Sequence, residues 1–320
     1  MAPANQSDID RLNYCIDQLK DRGFLEYIGE YGAEITTFVP FVAWLHGEGF
    51  LNGRRIITYV GMRPYYFFLD DDQIEERSEP RNWLPIAQRC WPGNSTYHAV
   101  RSAWHVYPDF RRHYAAAGRS FDRPVIFLQN KFVIEWAIGP INFMPLNALQ
   151  LFLEWTKDTH RIIYSRPETR ANQAYTSDHN MGLSYPDLQI VSQYPHAIHF
   201  EEYCREAGRE YNLLKLETLA QSHLFAAAQG GGAHILACFG NSLLLVLDRS
   251  EDCSPEGSEY PHAYRSGPYK YLSAEPPTLM VARRFSDFVK GLQLLAHAMP
   301  HHGRIDLPAR FMPALDELRM

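Results

Sequence analysis

The sequence predicts an α/β protein whose C-terminal part carries a doubly wound parallel sheet. Three observations predict it. From residue 125 onward, short apolar runs alternate with longer amphipathic segments. Several of those runs, such as Val125 to Gln129 and Leu243 to Asp248, are nearly continuous in Val, Ile and Leu, as strands buried on both faces require. A glycine turn, Gln229-Gly230-Gly231-Gly232-Ala233-His234, stands between one such run and a helical pattern.

The elements follow in order. Ser7 to Lys20 reads as a helix, with Ser7 or Asp8 as cap, Ile9, Leu12, Ile16 and Leu19 at helical spacing, and Gly23 as its end. The apolar stretch Phe38 to Leu45 leads into His46-Gly47-Glu48-Gly49. Two strands are predicted next, at Arg55 to Val60 and Tyr65 to Leu69. Between Asp70 and Pro92 the composition turns charged and irregular. Asp70-Asp71-Asp72 runs on into Glu75-Glu76-Arg77, which reads as an exposed acidic loop in preference to a divalent-cation site. Tyr97 to Ala117 looks helical, interrupted at Pro108.

The small, polar run Gly118 to Pro124 marks a domain boundary. The expected organisation is an acceptor-side domain over 1–120, a nucleotide-binding domain over 121–299, and a tail over 300–320 that crosses back to the first domain. Within the second domain, strands are expected at Val125 to Gln129, Arg161 to Ser165, Ala197 to Phe200, Leu224 to Ala228, Leu243 to Asp248 and Thr278 to Ala282. Helices are expected at Pro145 to Lys157, Tyr211 to Gln221, Ala233 to Phe239 and Phe285 to Ala298.

Length and charge bound the function. A chain of 320 residues that is 46% hydrophobic has enough apolar material for two ordinary domains. A net charge of -6 and a pI near 6.2 give no basic footprint, so no nucleic-acid partner is expected. Cys15, Cys90, Cys204, Cys238 and Cys253 are widely spaced with no CxxC pair, as in a cytoplasmic protein with reduced thiols. His223 to Leu247 has no charged residue, but Gln229 to Gly232 and Gly240-Asn241-Ser242 break it into strand-sized pieces, so no integral membrane segment is expected.

Chemistry is expected at the carboxyl ends of the strands, where open α/β sheets bind ligands. Bare backbone N–H groups at Gly230, Gly231, Gly232 and Ala233, with His234 in the first helical turn, suit a diphosphate. The turn is neither G-x-x-x-x-G-K-[ST] nor G-x-G-x-x-G, so it lacks the P-loop and dinucleotide fingerprints. Lys131 and Arg166 follow apolar strands and are candidate phosphate clamps. Glu217, at the edge of an apolar helix face formed by Leu213, Leu216 and Ala220, is a candidate for a ribose hydroxyl. The polar loop holding Asp178 and His179 supplies candidate proton-transfer groups. His196 and His199 have no third ligand spaced near them, and no metal site is expected.

The runs Leu213-Leu214-Lys215-Leu216-Glu217, Gln229-Gly230-Gly231-Gly232-Ala233-His234 and Phe239-Gly240-Asn241-Ser242-Leu243 resemble the nucleotide-sugar domain of GT-B glycosyltransferases. They are most similar to the group containing plant xylosyltransferases and the extracellular O-linked N-acetylglucosamine transferase. Where that group carries a Gly-x-His-Gly-Ala-like loop, this chain has Gly-Gly-Ala-His. The resemblance spans roughly 124–295. It implies two Rossmann-like domains facing a cleft and metal-independent transfer of a sugar from a nucleotide-diphosphate donor to a glycan or other hydroxyl acceptor, with no cofactor. Lys131, Arg166 and Gly230 to His234 would then serve the diphosphate, Glu217 the ribose or sugar, and Asp178 or His179 the acceptor proton. Another nucleotide-using transferase on the same fold, or a non-catalytic nucleotide-sugar or glycan-binding protein, remains open on these residues.

Overall fold

The computed structural model describes residues 6–79, 81, 90–93, 102–117, 120–134, 139–166, 183–249, 268–301 and 304–319. The chain is α/β with parallel sheets. Its contacts divide it into two compact units, one within Met1–Pro108 and the other within Asp109–Glu168 and Asn180–Met320. Among the described residues no helix is long and apolar enough to cross a membrane.

The first unit opens with α1 (Gln6–Arg22), where Asp8 in the first turn and Lys20 and Arg22 in the last complement the helix dipole. Gly23, at φ 73, takes the left-handed conformation that ends it. Three parallel strands follow, β1 (Phe24–Glu26), β2 (Arg55–Tyr59) and β3 (Ile74–Arg77), with β2 central. Leu25, Ile56 and Ile74 share one row across them and are buried. Between β1 and β2 run α2 (Tyr31–Ala33), a π-helical turn (Glu34–Phe38) and α3 (Val39–Gly47).

Two expectations fail here for local reasons. Tyr65 to Leu69 is not a strand: a 3-10 turn, Arg63–Tyr66, begins with Pro64 in its first turn and drops the rings of Tyr65 and Tyr66 into the core. The third strand is instead the charged segment Ile74–Arg77, which buries only its first residue and pairs along one edge. The acidic run before it is exposed, and Asp70 closes a capping box with Gln73.

The second unit starts at α4 (Phe110–Tyr114), capped by Asp109, whose side chain accepts from Arg112 N at 2.9 Å. This short helix replaces the longer one expected over Tyr97 to Ala117; residues 102–109 are not helical, and 97–101 lie outside the described residues. Arg111 holds α4 in place by donating to the carbonyls of Ala220, Phe239 and Gly240, which end two later helices.

Six parallel strands form the main sheet: β4 (Val125–Gln129), β5 (Arg161–Ser165), β6 (Ala197–His199), β7 (Leu224–Ala228), β8 (Leu243–Leu247) and β9 (Thr278–Ala282). Their order is β6-β5-β4-β7-β8-β9. All five residues of β4, β7 and β8 are buried, which is why these runs carry no polar alternation. The helices are α5 (Leu146–Thr156), α6 (Asp187–Val191), α7 (Phe200–Ala207), α8 (Tyr211–Ala220), α9 (Gly231–Ala237) and α10 (Phe285–His297). Alternate strand residues divide between the faces. Ile126, Leu128, Tyr164, Leu224 and Leu245 join Leu149, Phe152, Leu292 and Leu295 of α5 and α10 in one core, while Phe127 turns to the other face and meets Phe200 of α7.

After α10 the chain makes an antiparallel hairpin, β10 (Met299–His301) with β11 (Arg304–Asp306), and then α11 (Met312–Leu318). The described residues of this tail pack on α10 and β9. Leu315 and Leu318, three residues apart on one helix face, join the core of this same unit.

Candidate functional site

The strand order places a crevice. From β4 the chain moves outward through β5 and β6, then returns to the opposite side of β4 for β7, β8 and β9. The segments that leave β4 and β7 therefore diverge, and the carboxyl edge opens between these two neighbours, the switch point where doubly wound sheets hold ligands. Gln129-Asn130-Lys131 flanks it on one side and Gln229-Gly230-Gly231 on the other.

Lys131 and the glycine turn meet there. Gly230 has φ 139 and ψ -170, a conformation favouring glycine, and a Cβ added to it would stand 3.3 Å from Lys131 Nζ. The ammonium thus lies over the turn. At Gly232 an added Cβ would come within 2.6 Å of Gln129 Cγ, so the turn is also fitted closely onto the end of β4. Helix α9 begins at Gly231, and the N–H groups of Gly231 and Gly232 precede its first intrahelical bonds.

His234 lies one turn into α9 and is buried, with its ring centroid 5.3 Å from that of Tyr269. Neither ring nitrogen has a hydrogen-bond partner among the described residues. Burial, and secondarily the Lys131 charge, push its pKa down to about 4, so the imidazole is neutral at physiological pH. Ala233 closes the helix start by donating its N–H to Gly230 O at 2.9 Å.

Arg166 follows β5, whose Ser165 is in register with Gln129. Its Nε lies 3.0 and 2.7 Å from the two oxygens of Asp187, which is fully buried. Among the described residues the guanidinium is held through Nε, and the cation is buried at the end of β5.

The opposite face of the sheet supports the same edge. Lys215 of α8 is fully buried and donates to Gln129 Oε1 at 2.8 Å. Burial lowers its pKa to about 8, against the opposing pull of Glu201 and Cys204. Glu201 accepts from Ser165 Oγ at 2.7 Å and from the Tyr211 hydroxyl at 3.3 Å. His199 Nε2 stands 2.9 Å from the other Glu201 oxygen, but out of line for a hydrogen bond. His196 turns elsewhere, to Thr156 Oγ1 at 3.3 Å, so these two histidines do not converge.

Of the residues singled out by sequence, Lys131, Gly230, Gly231, Gly232, Ala233 and His234 come together, with Arg166 one strand away. Glu217 does not join them. It is buried, and both of its oxygens bind Arg209 at 2.6 Å. Helix α8 has its first residue, Tyr211, at the carboxyl edge beside Ser165, and six residues of helix carry Glu217 about 9 Å away from that edge. Asp178 and His179 lie outside the described residues. Sequence reasoning passed over Lys215, Asn130, Tyr164 and Asp187. Lys215 alone left a local signal, a lysine inside the run Leu213-Leu214-Lys215-Leu216.

A depression of about 410 Å³ lies at the other end of the strands, lined by Phe121, Asp122, Arg123, Pro124, His223, Pro300 and His301. It precedes β4 and β7 and shares no residue with the glycine turn, so the site is assigned to the carboxyl edge.

No family model matches the chain, and no curated protein matches it. Among solved structures it is similar to the wall teichoic acid polymerase TagF, with 11% identity and a TM-score of 0.33 over 87% of this chain and 55% of that one. It is similar also to a glycosyl transferase family 9 structure from Veillonella parvula DSM 2008, with 10% identity and a TM-score of 0.42 over 84% of this chain and 88% of that one. The chain spans about half the length of the TagF structures it matches. With both TM-scores below 0.5, the functional reading rests on the residues at the switch point.

Proposed function

We propose that the chain is a glycosyltransferase of GT-B type that moves a sugar from a nucleotide-diphosphate donor to a glycan or other hydroxyl acceptor without a metal ion. The observation that carries this is the switch point itself: the Lys131 ammonium over Gly230, with a buried neutral His234 whose ring nitrogens have no partner among the described residues. A cation, early-helix N–H groups and an unpartnered imidazole on one edge suit a phosphoryl ligand.

In this reading Lys131 and Arg166 stabilise the diphosphate as the bond from the anomeric carbon to its oxygen breaks. The acceptor oxygen forms the new bond to that carbon, and its proton passes to Asp178 or His179 as general base. His234 offers a ring N–H to a phosphoryl oxygen while carrying no charge. Glu217, whose two oxygens bind Arg209, is given no donor contact in this reading.

A thermal-shift panel of UDP, GDP, CMP, ADP and TDP, with and without Mn²⁺, tests the reading. One diphosphate is expected to raise the melting temperature equally with and without metal, and Lys131→Ala and Arg166→Ala to abolish most of that rise. Sugar nucleotides of the selected base should then release the diphosphate in the presence of acceptor. No response to any nucleotide overturns the assignment, and binding without release moves it to a non-catalytic nucleotide-sugar or glycan-binding role.

A further inference from the structure

Lys131 and Arg166 follow neighbouring strands, and a continuous line of buried hydrogen bonds joins them. Arg166 Nε is held by the carboxylate of Asp187, which also accepts Leu188 N at 3.0 Å. The Tyr164 hydroxyl donates to the same carboxylate and accepts from Asn130 Nδ2 at 2.6 Å. Asn130 Oδ1 in turn accepts Lys131 N at 2.9 Å and Met144 N at 2.8 Å. Tyr164 and Asp187 are fully buried, and Asn130 nearly so.

The direction of every bond in this line is fixed. Two backbone N–H donors at Oδ1 leave Asn130 only one amide orientation, with Nδ2 toward the phenol. Burial, and then the Asp187 charge, raise the Tyr164 pKa, so its hydroxyl keeps its proton and donates a hydrogen bond to the carboxylate. A buried carboxylate and its partners generally stabilise a fold no better than apolar side chains of the same volume would. Such groups at the edge of a core otherwise built from Ile126, Leu128 and Leu149 call for another use.

We propose that Asp187, Tyr164 and Asn130 are positioning residues that fix the Arg166 guanidinium relative to the Lys131 backbone, so that the two cations grip adjacent phosphoryl groups of a diphosphate. The inference rests on the diphosphate reading above and adds a specificity to it: paired phosphoryl groups are preferred over a single one. Asp187 pins Nε, while Asn130 sets where the chain departs from β4 toward Lys131.

Calorimetric titration with pyrophosphate and with orthophosphate tests this on the native chain and on Tyr164→Phe, which keeps the ring and removes the hydroxyl. Pyrophosphate affinity is expected to fall roughly tenfold, as for loss of a buried hydrogen-bond partner, with orthophosphate affinity changed about twofold or less. In an Arg166→Ala background the same substitution should cost much less, because both act on one cation. If Tyr164→Phe fails to fold, Asp187→Asn carries the same comparison. Equal losses for the two anions, an additive double variant, or unchanged pyrophosphate binding overturns the positioning role and leaves the diphosphate reading standing. A native chain that binds neither pyrophosphate nor any nucleotide of the panel overturns both.

Discussion

Two buried polar side chains, Glu34 in the first unit and His234 in the second, are finished in opposite ways. Beside the three-stranded sheet, Glu34 is fully buried and its oxygens accept from Tyr66 OH at 2.7 Å, from Thr58 Oγ1 and from Arg81 Nη1 at 2.7 Å. Beside the six-stranded sheet, His234 is buried with neither ring nitrogen bonded among the described residues, and the Lys131 charge acts on it. A buried polar group without a partner costs free energy. The satisfied Glu34 carboxylate therefore reads as stability, and the unbonded His234 ring as a place where a ligand supplies the missing bonds.

The sharpest way to break that comparison is Glu34→Ala, which leaves the Arg81 cation buried without its carboxylate. A loss of about 3–5 kcal/mol in urea unfolding is expected. A loss under about 1 kcal/mol would mean that the cluster is not structural.

Lys215 gives the next largest effect. Burial lowers its pKa from 10.5 to about 8, so above pH 8 the folded state releases a proton that the unfolded chain retains. Its contribution makes stability rise with pH from about 8 to 10.5, by something on the order of 3 kcal/mol, and is flat below 8. Lys215→Met should be more stable than the native chain at pH 7 and should lack the alkaline rise, as melting curves across this range would record.

The smallest stability change, and the one that separates the two clusters most directly, belongs to His234→Leu. Exchanging an unpartnered imidazole for an apolar group of similar size should alter stability by about 1 kcal/mol or less, in either direction. The same variant should lose roughly tenfold in diphosphate affinity, one hydrogen bond's worth. A large stability loss with unchanged affinity would make His234 a core residue.

The sheet was legible where burial leaves a one-dimensional record. Val125 to Gln129, Leu224 to Ala228 and Leu243 to Leu247 are strands covered on both faces, so their sequences are uninterrupted apolar runs. Tyr65 and Tyr66 misled because aromatic residues fill a 3-10 turn as readily as a strand. Lys131 and Gly230 were each visible as strand-end residues, but their meeting depends on β4 pairing with β7, which chain order does not record. The position of Glu217 was not legible, because the direction of α8 decides which end of the sheet a side chain reaches. Tyr164, Asp187 and Asn130 had no local signature, since each gains its meaning from a partner 21 to 34 residues away.

Pairing β7 directly with β4 also sets when the crevice can exist during folding. Ser222 bonds Val125 across 97 residues, Lys215 reaches Gln129 across 86, and Asn142 reaches Gln229 across 87. Contacts this distant must close long loops before they return any stabilisation, which slows folding. On the ribosome β4, β5 and β6 emerge with one edge of β4 uncovered until residue 228 has followed. The binding crevice therefore cannot form before β7 has emerged, and the exposed flank of β4 is where a nascent or truncated chain would aggregate.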